Sequence, residues 1–580
     1  MTSSGLAQAP TLARQILVWA LLALAGALAL VSSWRQGQPA ALPQAQAERL
    51  PCVSYAPFRR SGHSPFDATL RVPAAEIEAD LRLLATLTGC IRTYGLDHGL
   101  DAVPAIARRL GLKLVLGAWI GRDAEANDAQ LRRALELARE YRDVVQLLVV
   151  GNEVLLRREL SAPQLAQLLA RARQASPVPV SYAEVWEFWL RHARVLQPHV
   201  DVVSAHILPY WEDDPIGVEQ AVEHVVSIAE RLRQAFGPTP VFVAETGWPA
   251  LGRQRGAAVA GRLQQALFVR GLLAHPATQG LGFNLIEGFD QPWKRDLEGA
   301  MGGAWGLFDA QGVLRLPLSG DLAPAAGWAL PLGAAALGAA FAGVIGLTGL
   351  AARVGHTGTL RRRAARPPSV LAWTGLLWAG AWLGHCTALQ WQALAPWSRN
   401  GVEWGLGLAV LGVSTLCAAA ALHRLGQVWC GAALPARMGI AAWRQGPRPR
   451  PAALLGLALA ALWFIAAAGA LALLFDGRYR PLPAASFAAP ALLLLAACLL
   501  GDRLDAGARE ERLLAAIGGA AALCVLVVEG PANTQALLYA GTLLALGAAT
   551  LWPAGAGDAA AARHLDQAPG PPAAPPGPAA

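Results

Sequence analysis

Val241-Phe-Val-Ala-Glu-Thr-Gly-Trp-Pro249 runs from apolar and β-forming residues straight into the carboxylate of Glu245, after which Gly247 and Pro249 break the strand. A buried strand of a parallel sheet has this form, a short continuous apolar run closed by turn residues, and it delivers Glu245 at its carboxyl end. Leu147-Leu-Val-Val-Gly-Asn-Glu153 has the same grammar, with Asn152 just before the acid. Two glutamates at the same ends of two buried parallel strands face one site.

Outward from these two strands, residues 51–320 alternate. Strand signals fall at 52–56, 90–95, 112–119, 145–151, 178–184, 201–207, 239–245 and 280–287, with helical patterns between them such as Asp123–Tyr141 and Gly217–Phe236. Pro73, Pro163 and Pro215 stand where helices could start. Eight strands, each followed by a helix or loop, predict an α/β fold, a (β/α)8 TIM barrel. The last helix is poorly marked, and Gly306-Leu-Phe-Asp-Ala-Gln-Gly-Val-Leu-Arg315 reads as a hairpin closing the domain.

The flanks read differently. Residues 1–14 are expected as a cytoplasmic N-terminus and 15–33 as an uncleaved signal-anchor helix, since Ser32-Ser-Trp-Arg-Gln36 is a poor cleavage site. Residues 34–50 are a Pro/Ala/Gln linker. After Pro324 the composition turns apolar, and 325–553 reads as an α-helical transmembrane domain of seven spans, about 327–352, 369–390, 402–422, 453–475, 484–501, 513–529 and 534–553. The loops at 353–368, 423–452 and 502–512 hold 5, 5 and 3 arginines, against 1, 2 and 0 at 391–401, 476–483 and 530–533. That bias predicts an extracytoplasmic barrel on a multi-pass protein of the inner membrane. Trp328, Trp391, Trp397, Trp404 and Trp552 stand near span ends, as interface belts predict, and the Ala/Pro/Gly-rich tail 554–580 is expected to be a disordered cytoplasmic segment.

Composition agrees. Of 580 residues 54% are hydrophobic and 15% charged, and mean hydropathy is +0.36. The net charge of +8 does not indicate nucleic acid, because many arginines sit in short loops between spans. The seven cysteines show no paired Cys-x-x-Cys zinc spacing, and neither a metal nor a cofactor is expected. Cys52 and Cys90 open neighbouring strands, so a disulfide and a pair of buried thiols both remain open.

Catalytic groups of a parallel barrel stand at the carboxyl ends of its strands. Those ends collect Tyr55, Arg92, Tyr94, Trp119, Asn152, Glu153, Glu184, His206, Tyr210, Glu245, Trp248, Glu287 and Trp293. Aromatics suit sugar faces, amides and carboxylates suit hydroxyls, and a carboxylate pair is what glycosidic hydrolysis needs. His206 stands among the binding candidates, although its plainer reading is a satisfied strand-end histidine.

Ile91-Arg-Thr-Tyr-Gly95, Val150-Gly-Asn-Glu153, Glu245-Thr-Gly-Trp-Pro249 and Phe289-Asp-Gln-Pro-Trp-Lys294 together resemble glycoside hydrolase family 17, the β-1,3-glucanases and glucan-remodelling transferases. A barrel beside many spans is most similar to bacterial membrane-bound members tied to periplasmic β-glucans. Strand 1, Cys52-Val-Ser-Tyr55, departs from the family's usual form. The resemblance implies a retaining double displacement, with Glu245 as nucleophile and Glu153 as acid and base. Asn152 would bind the 2-hydroxyl, Tyr210 would orient the nucleophile and Arg92 would keep it ionised. Glu287 and Lys294 would form a supporting ion pair, and Trp119, Trp248 and Trp293 would be sugar platforms or packing. The carboxyl groups should lie about 5 Å apart. The expected partners are a β-glucan, the lipid bilayer and a glucan synthase or export complex beside which the spans would dock the barrel. A branching or cyclising transglycosylase and a non-catalytic glucan-binding subunit are the rival readings.

Overall fold

The structure, a computed structural model, describes residues 10–44, 49–354, 369–429, 450–502 and 509–552. Eight parallel strands close into a barrel in sequence order: β1 (Cys52–Ser54), β2 (Cys90–Arg92), β3 (Lys113–Ala118), β4 (Val145–Asn152), β5 (Val180–Val185), β6 (Val202–His206), β7 (Val241–Thr246) and β8 (Gly282–Leu285). β1 pairs with β8 through Cys52 against Asn284, which completes the ring. The expected TIM barrel is thus the fold, with strands slightly shorter than the apolar runs suggest.

Alternation along the strands sorts the core into two layers. Val115, Leu147, Val149, Ala183 and Ala244 join Cys52 and Cys90 in one small cluster, while their neighbours Leu114, Leu116, Leu148 and Val150 pack in the large cluster shared with the helices. The Cys52 and Cys90 sulfurs are bonded, which resolves the open pairing.

Two of the barrel helices start where side chains meet the exposed N–H groups of the first turn. Asp123 caps α4 (Ala124–Glu140) by accepting from Glu125 and Ala126. Ser161 and Gln164 make a capping box on α5 (Ala162–Ala175), with Pro163 in its first turn. Pro73 stands at the N-cap of α2 (Ala74–Leu84) without a side-chain hydrogen bond. Pro215 lies outside α7 (Val218–Phe236), whose cap is Gly217. The remaining barrel helices are α3 (Val103–Leu110), α6 (Trp186–Leu196), α8 (Arg262–Ala274) and a short α9 (Arg295–Gly302) after β8. The expected closing hairpin is reduced to isolated bridges of Phe308 with Leu314 and Phe289, around a turn held by Asp309.

Among the described residues, eight further helices are apolar. α1 (Leu12–Gln36) packs on α10 (Ala329–Val354) and α11 (Val370–Trp397), and Trp19 donates to Thr374 at 2.8 Å. α12 (Gly401–Trp429), α13 (Arg450–Asp476), α14 (Ala484–Leu499), α15 (Arg509–Glu529) and α16 (Thr534–Leu551) complete the bundle. A helix stands at each of the seven predicted C-terminal positions. By length and composition, five helices among the described residues could cross a membrane: Leu12–Gln36, Gly401–Trp429, Leu454–Tyr479, Arg509–Glu529 and Thr534–Leu551. α14 has 16 residues, or about 24 Å at 1.5 Å per residue, less than the ~30 Å of a hydrocarbon core. α12 continues past its predicted end at 422, so Arg424 lies in the helix and pairs with Asp502 at 2.6 Å. Most of the arginine-rich loops, at 355–368, 430–449 and 503–508, and the tail 553–580 lie outside the described residues.

α10 and α11 approach closely because small residues face each other. A Cβ on Gly338 would meet the Gly380 carbonyl, and one on Gly384 the Ala334 carbonyl.

Candidate active site

β7 ends by presenting Glu245, 5% exposed, and β2 brings the buried Arg92 beside it. Arg92 Nη1 donates to Glu245 Oε1 and to the Ala244 carbonyl, both at 2.8 Å. Its Nη2 donates to Asn152 Oδ1 at 2.6 Å. A guanidinium only donates, so this contact fixes the amide with its oxygen on Arg92 and its NH2 group turned away, available to a ligand. Beneath these groups lies a polar layer: Tyr94 donates to Ser54 at 3.0 Å, and Asn284 donates to Ser54 at 2.7 Å and to the Ala244 carbonyl at 2.8 Å.

Glu153 follows β4 with φ of +53°, a left-handed conformation rare in residues with a side chain. Gly151, two residues earlier, has φ of +87°. The turn is held from β5, where the Glu184 carboxylate accepts from the N–H groups of Leu155 and Leu156 at 3.2 Å, of Val185 at 2.9 Å, and from the Tyr182 hydroxyl. Backbone strain kept by such a network is a recurrent feature of functional sites.

His206, at the end of β6, stands between the two acids. Nδ1 lies 2.9 Å from Glu153 Oε1, and Nε2 lies 3.7 Å from Glu245 Oε1 without a hydrogen bond. One oxygen of each carboxylate and a ring nitrogen of His206 all fall within 4.8 Å of one another. That spacing is the one at which one carboxyl attacks a sugar carbon while the other serves its leaving oxygen; about 6.5–9.5 Å would leave room for a water instead. His206 thus hydrogen-bonds Glu153 through Nδ1, and its buried Nε2 makes no hydrogen bond to any described residue.

The electrostatics differ across the pair. Burial alone would raise the Glu245 carboxyl; the charges of His206 and Arg92, the nearby Tyr94 hydroxyl and the charge of Lys294 reverse this and hold it below its ordinary value. On the segment after β8, Lys294 Nζ donates to both oxygens of Glu287 at 2.9 Å. Burial pushes Glu287 up to about 7, and would lower Lys294, but Glu287 and Glu298 raise it instead and keep the ammonium charged.

Other candidates are placed elsewhere. Tyr55 is fully buried and donates to Asp80 at 3.2 Å, so it belongs to the barrel wall and presents no face to a sugar. Trp248 is likewise fully buried, packed on Tyr210 and Phe268 with its N–H on the Val259 carbonyl at 2.9 Å. Tyr210 gives its hydroxyl to the Arg253 carbonyl at 2.6 Å in place of Glu245. Trp119 is 40% exposed, with Arg157 4.2 Å over its ring. Trp293 is half-buried, edge-on to Phe58 and Phe66, and donates to Gln291 at 3.0 Å.

Three residues beyond the predicted set stand at the site. Ser54 and Asn284 carry a usable signal, each a polar residue inside an apolar strand. Glu298 on α9 does not, because an acid in a short polar helix reads as surface. Burial is the main cause raising its carboxyl; Lys294 opposes this, while Glu153 and Glu245 add to it.

Comparison with known proteins fits this geometry. Residues 52–306 match the family model described as the BtgE/BtgC glycoside hydrolase domain. The chain is 27% identical over 225 residues to "Probable beta-glucosidase btgE" of Aspergillus fumigatus, covering 38% of this chain and 39% of that one. It is 29% identical over 234 residues to "Glucan 1,3-beta-glucosidase" of Schizosaccharomyces pombe, covering 38% and 73%. The chain thus spans about two fifths of the length of the Aspergillus relatives, and the relatives named here are fungal, not bacterial. A solved family 17 β-1,3-glucanosyltransferase of Rhizomucor miehei aligns with TM-score 0.40 and 20% identity, over 46% of this chain and 97% of that one. Two carboxylates converge at the carboxyl ends of β4 and β7, and from β1 through β8 the barrel of this chain is similar to that glycoside hydrolase domain.

Proposed function

We propose that the chain is a membrane-bound, retaining β-1,3-glucanase of the family 17 type, similar to bacterial members with a periplasmic barrel. The observation that carries the chemistry is the separation of the Glu153 and Glu245 oxygens, within 4.8 Å. Glu245, held ionised beside Arg92, attacks the anomeric carbon from one face. As the C1–Glu245 oxygen bond forms, the glycosidic bond breaks and Glu153 delivers its proton to the leaving oxygen. Glu153 then takes a proton from an incoming hydroxyl, whose oxygen attacks C1 and releases Glu245. The Asn152 NH2 donates to the 2-hydroxyl, a contact that strengthens in the transition state. Trp119 and Trp293 offer sugar faces at the rim.

The incoming hydroxyl decides the outcome: water gives hydrolysis and a sugar gives transglycosylation. Laminari-oligosaccharides incubated with the full chain in detergent should yield shorter products. Products longer than the substrate would make it a transferase, and cleavage restricted to β-1,6 linkages would overturn the linkage. Glu245→Gln should abolish turnover; unchanged cleavage by that variant would remove the mechanism. A non-catalytic subunit is disfavoured by the complete carboxylate pair.

Support for an extracytoplasmic barrel comes from the Cys52–Cys90 disulfide, which persists in oxidising compartments, and from the arginine bias of the loops. The domain boundaries proposed from the sequence stand with that reading, as does recruitment of a glucan synthase or export complex by the bundle. Affinity purification that recovers no envelope partner would count against the recruitment.

A further inference from the structure

The barrel is not merely tethered to the bundle. Its carboxyl-end face, the face of the site, rests on the bundle connections that follow α13 and α15. In the connection after β7, Arg253 and Gln254 are almost fully buried. Arg253 pairs with Glu529 and donates to the Gly477 carbonyl. The Gln254 backbone N–H donates to the Gln535 side chain at 2.9 Å, and its carbonyl accepts from Asn533 at 3.0 Å. The Gln254 side chain donates to the Ala532 carbonyl at 2.9 Å and accepts from the Thr534 hydroxyl at 2.7 Å. In the connection after β6, the Trp211 carbonyl accepts from Arg478 at 2.9 Å. After β8, α9 touches α11, and a Cβ on Gly299 would meet the Tyr479 carbonyl. Buried polar groups with this degree of pairing specify one docked arrangement.

These contacts fall at the end of the bundle where α13 and α15 finish. α1 and α11 finish together as well: a Cβ on Gly37 would strike Trp328, and Gln392 donates to the Gly327 carbonyl at 2.7 Å. Exposed tryptophans mark these helix ends. Trp34 stands near the end of α1, Trp391 near the end of α11 and Trp404 in the first turn of α12. Indole rings turned outward at helix ends are what the boundary between acyl chains and headgroups selects.

Two large apolar side chains on the catalytic face of the barrel are left uncovered. Phe66, in the connection after β1, is 73% exposed, and Leu297, on α9, is 55% exposed. Phe66 lies edge-on to Trp293 with ring centroids 5.6 Å apart, and Trp293 stands in the short turn that leads into α9. The patch is thus continuous with the helix that meets Tyr479 and α11. A leucine offers a sugar no aromatic face, so a saccharide would account for Phe66 alone. The boundary layer of a bilayer accounts for both.

We propose that the catalytic face of the barrel is turned toward the bilayer, with Phe66 and Leu297 seated among the phospholipids that flank the bundle. This rests on the membrane-bound reading above. The cleft then opens along the membrane surface, where a glucan emerging from the bilayer meets Glu153 and Glu245 directly.

The test places the photoreactive residue p-benzoyl-phenylalanine in place of Phe66, Leu297, Val195 or Leu416 in the full chain. Each variant is reconstituted in phosphatidylethanolamine and phosphatidylglycerol vesicles and irradiated with labelled laminarihexaose outside. Leu416 is exposed in the middle of α12 and reports the bilayer. Val195 is exposed at the end of α6, on the opposite face of the barrel. An unchanged melting temperature shows that each variant is folded. Phospholipid should become attached at 66, 297 and 416 and not at 195. Lipid at 416 but at neither 66 nor 297 overturns the proposal and leaves the membrane-bound reading standing, as does laminarihexaose attached at 66 in place of lipid. Equal lipid labelling at 195 overturns it as well. No lipid at 416 would overturn both.

Discussion

Glu245 is 5% exposed at the end of β7, and withdrawal from water to that degree favours the neutral acid, a poor nucleophile. Arg92, at 2.8 Å and itself buried, supplies the opposing charge. Removing one member of a buried pair strands the other, at a cost of about 3–5 kcal/mol. Arg92→Met should therefore lower kcat/KM by at least ~10²-fold, on the scale of that loss. The sign of the pH effect follows. A depressed carboxyl is ionised, and contributes its pairing energy, above the ordinary carboxylate range; both are lost as pH falls through the depressed value. In Arg92→Met the acid limb of the kcat/KM profile moves to higher pH. An acid limb that stays in place would show that Arg92 does not set the ionisation of Glu245. Asn152→Ala, which removes the amide oriented by Arg92, should cost about 10²-fold in kcat with a smaller change in KM, if its contact is made mainly in the transition state.

Strands and helices show where the sequence was legible and where it was not. The runs ending in Glu153 and Glu245 placed β4 and β7 because parallel strands buried on both faces have no polar register to confuse them. The strand-end groups Arg92, Asn152 and His206 lie beside the two acids. Tyr55, Trp248 and Tyr210 are instead fully buried with their polar atoms on other partners, because a large aromatic near a strand end reads alike whether it turns inward or outward. Glu298 was not legible, because an acid in a short polar helix reads as surface. Two predictions belong here. The Cys52–Cys90 bond joins residues 38 apart, and a loop of that size constrains the unfolded chain by about 4 kcal/mol in the entropic model. Replacing both by Ser should lower the unfolding free energy of the barrel by 2–4 kcal/mol, on that estimate; an unchanged denaturation midpoint would contradict it. Gly380→Val should part α10 from α11 at a cost of about 1–3 kcal/mol, read as a lower melting temperature in detergent, since the added atoms would strike the Gly338 carbonyl and Ala342.

For the whole molecule, the apolar half of the chain was evident from composition, and its helices stand at the predicted positions. What composition could not supply is the docking, which is built from single polar residues such as Gln254, Arg253 and Asn533. These sit in connections that no periodicity marks. The proposed topology has a simple check: a periplasm-active reporter joined after residue 320 should be active, whereas one joined at 580 should not. The reverse pattern would put the site in the cytoplasm and remove the glucan assignment.

The chemistry at the pair of glutamates is tested most directly by following a laminari-oligosaccharide with proton NMR as the full chain cleaves it. Two carboxylates with oxygens within 4.8 Å predict that the newly formed reducing end appears first as the β-anomer, with the α-anomer growing later by mutarotation. First appearance of the α-anomer would mean a single inverting displacement, and Glu245 would then not be a nucleophile.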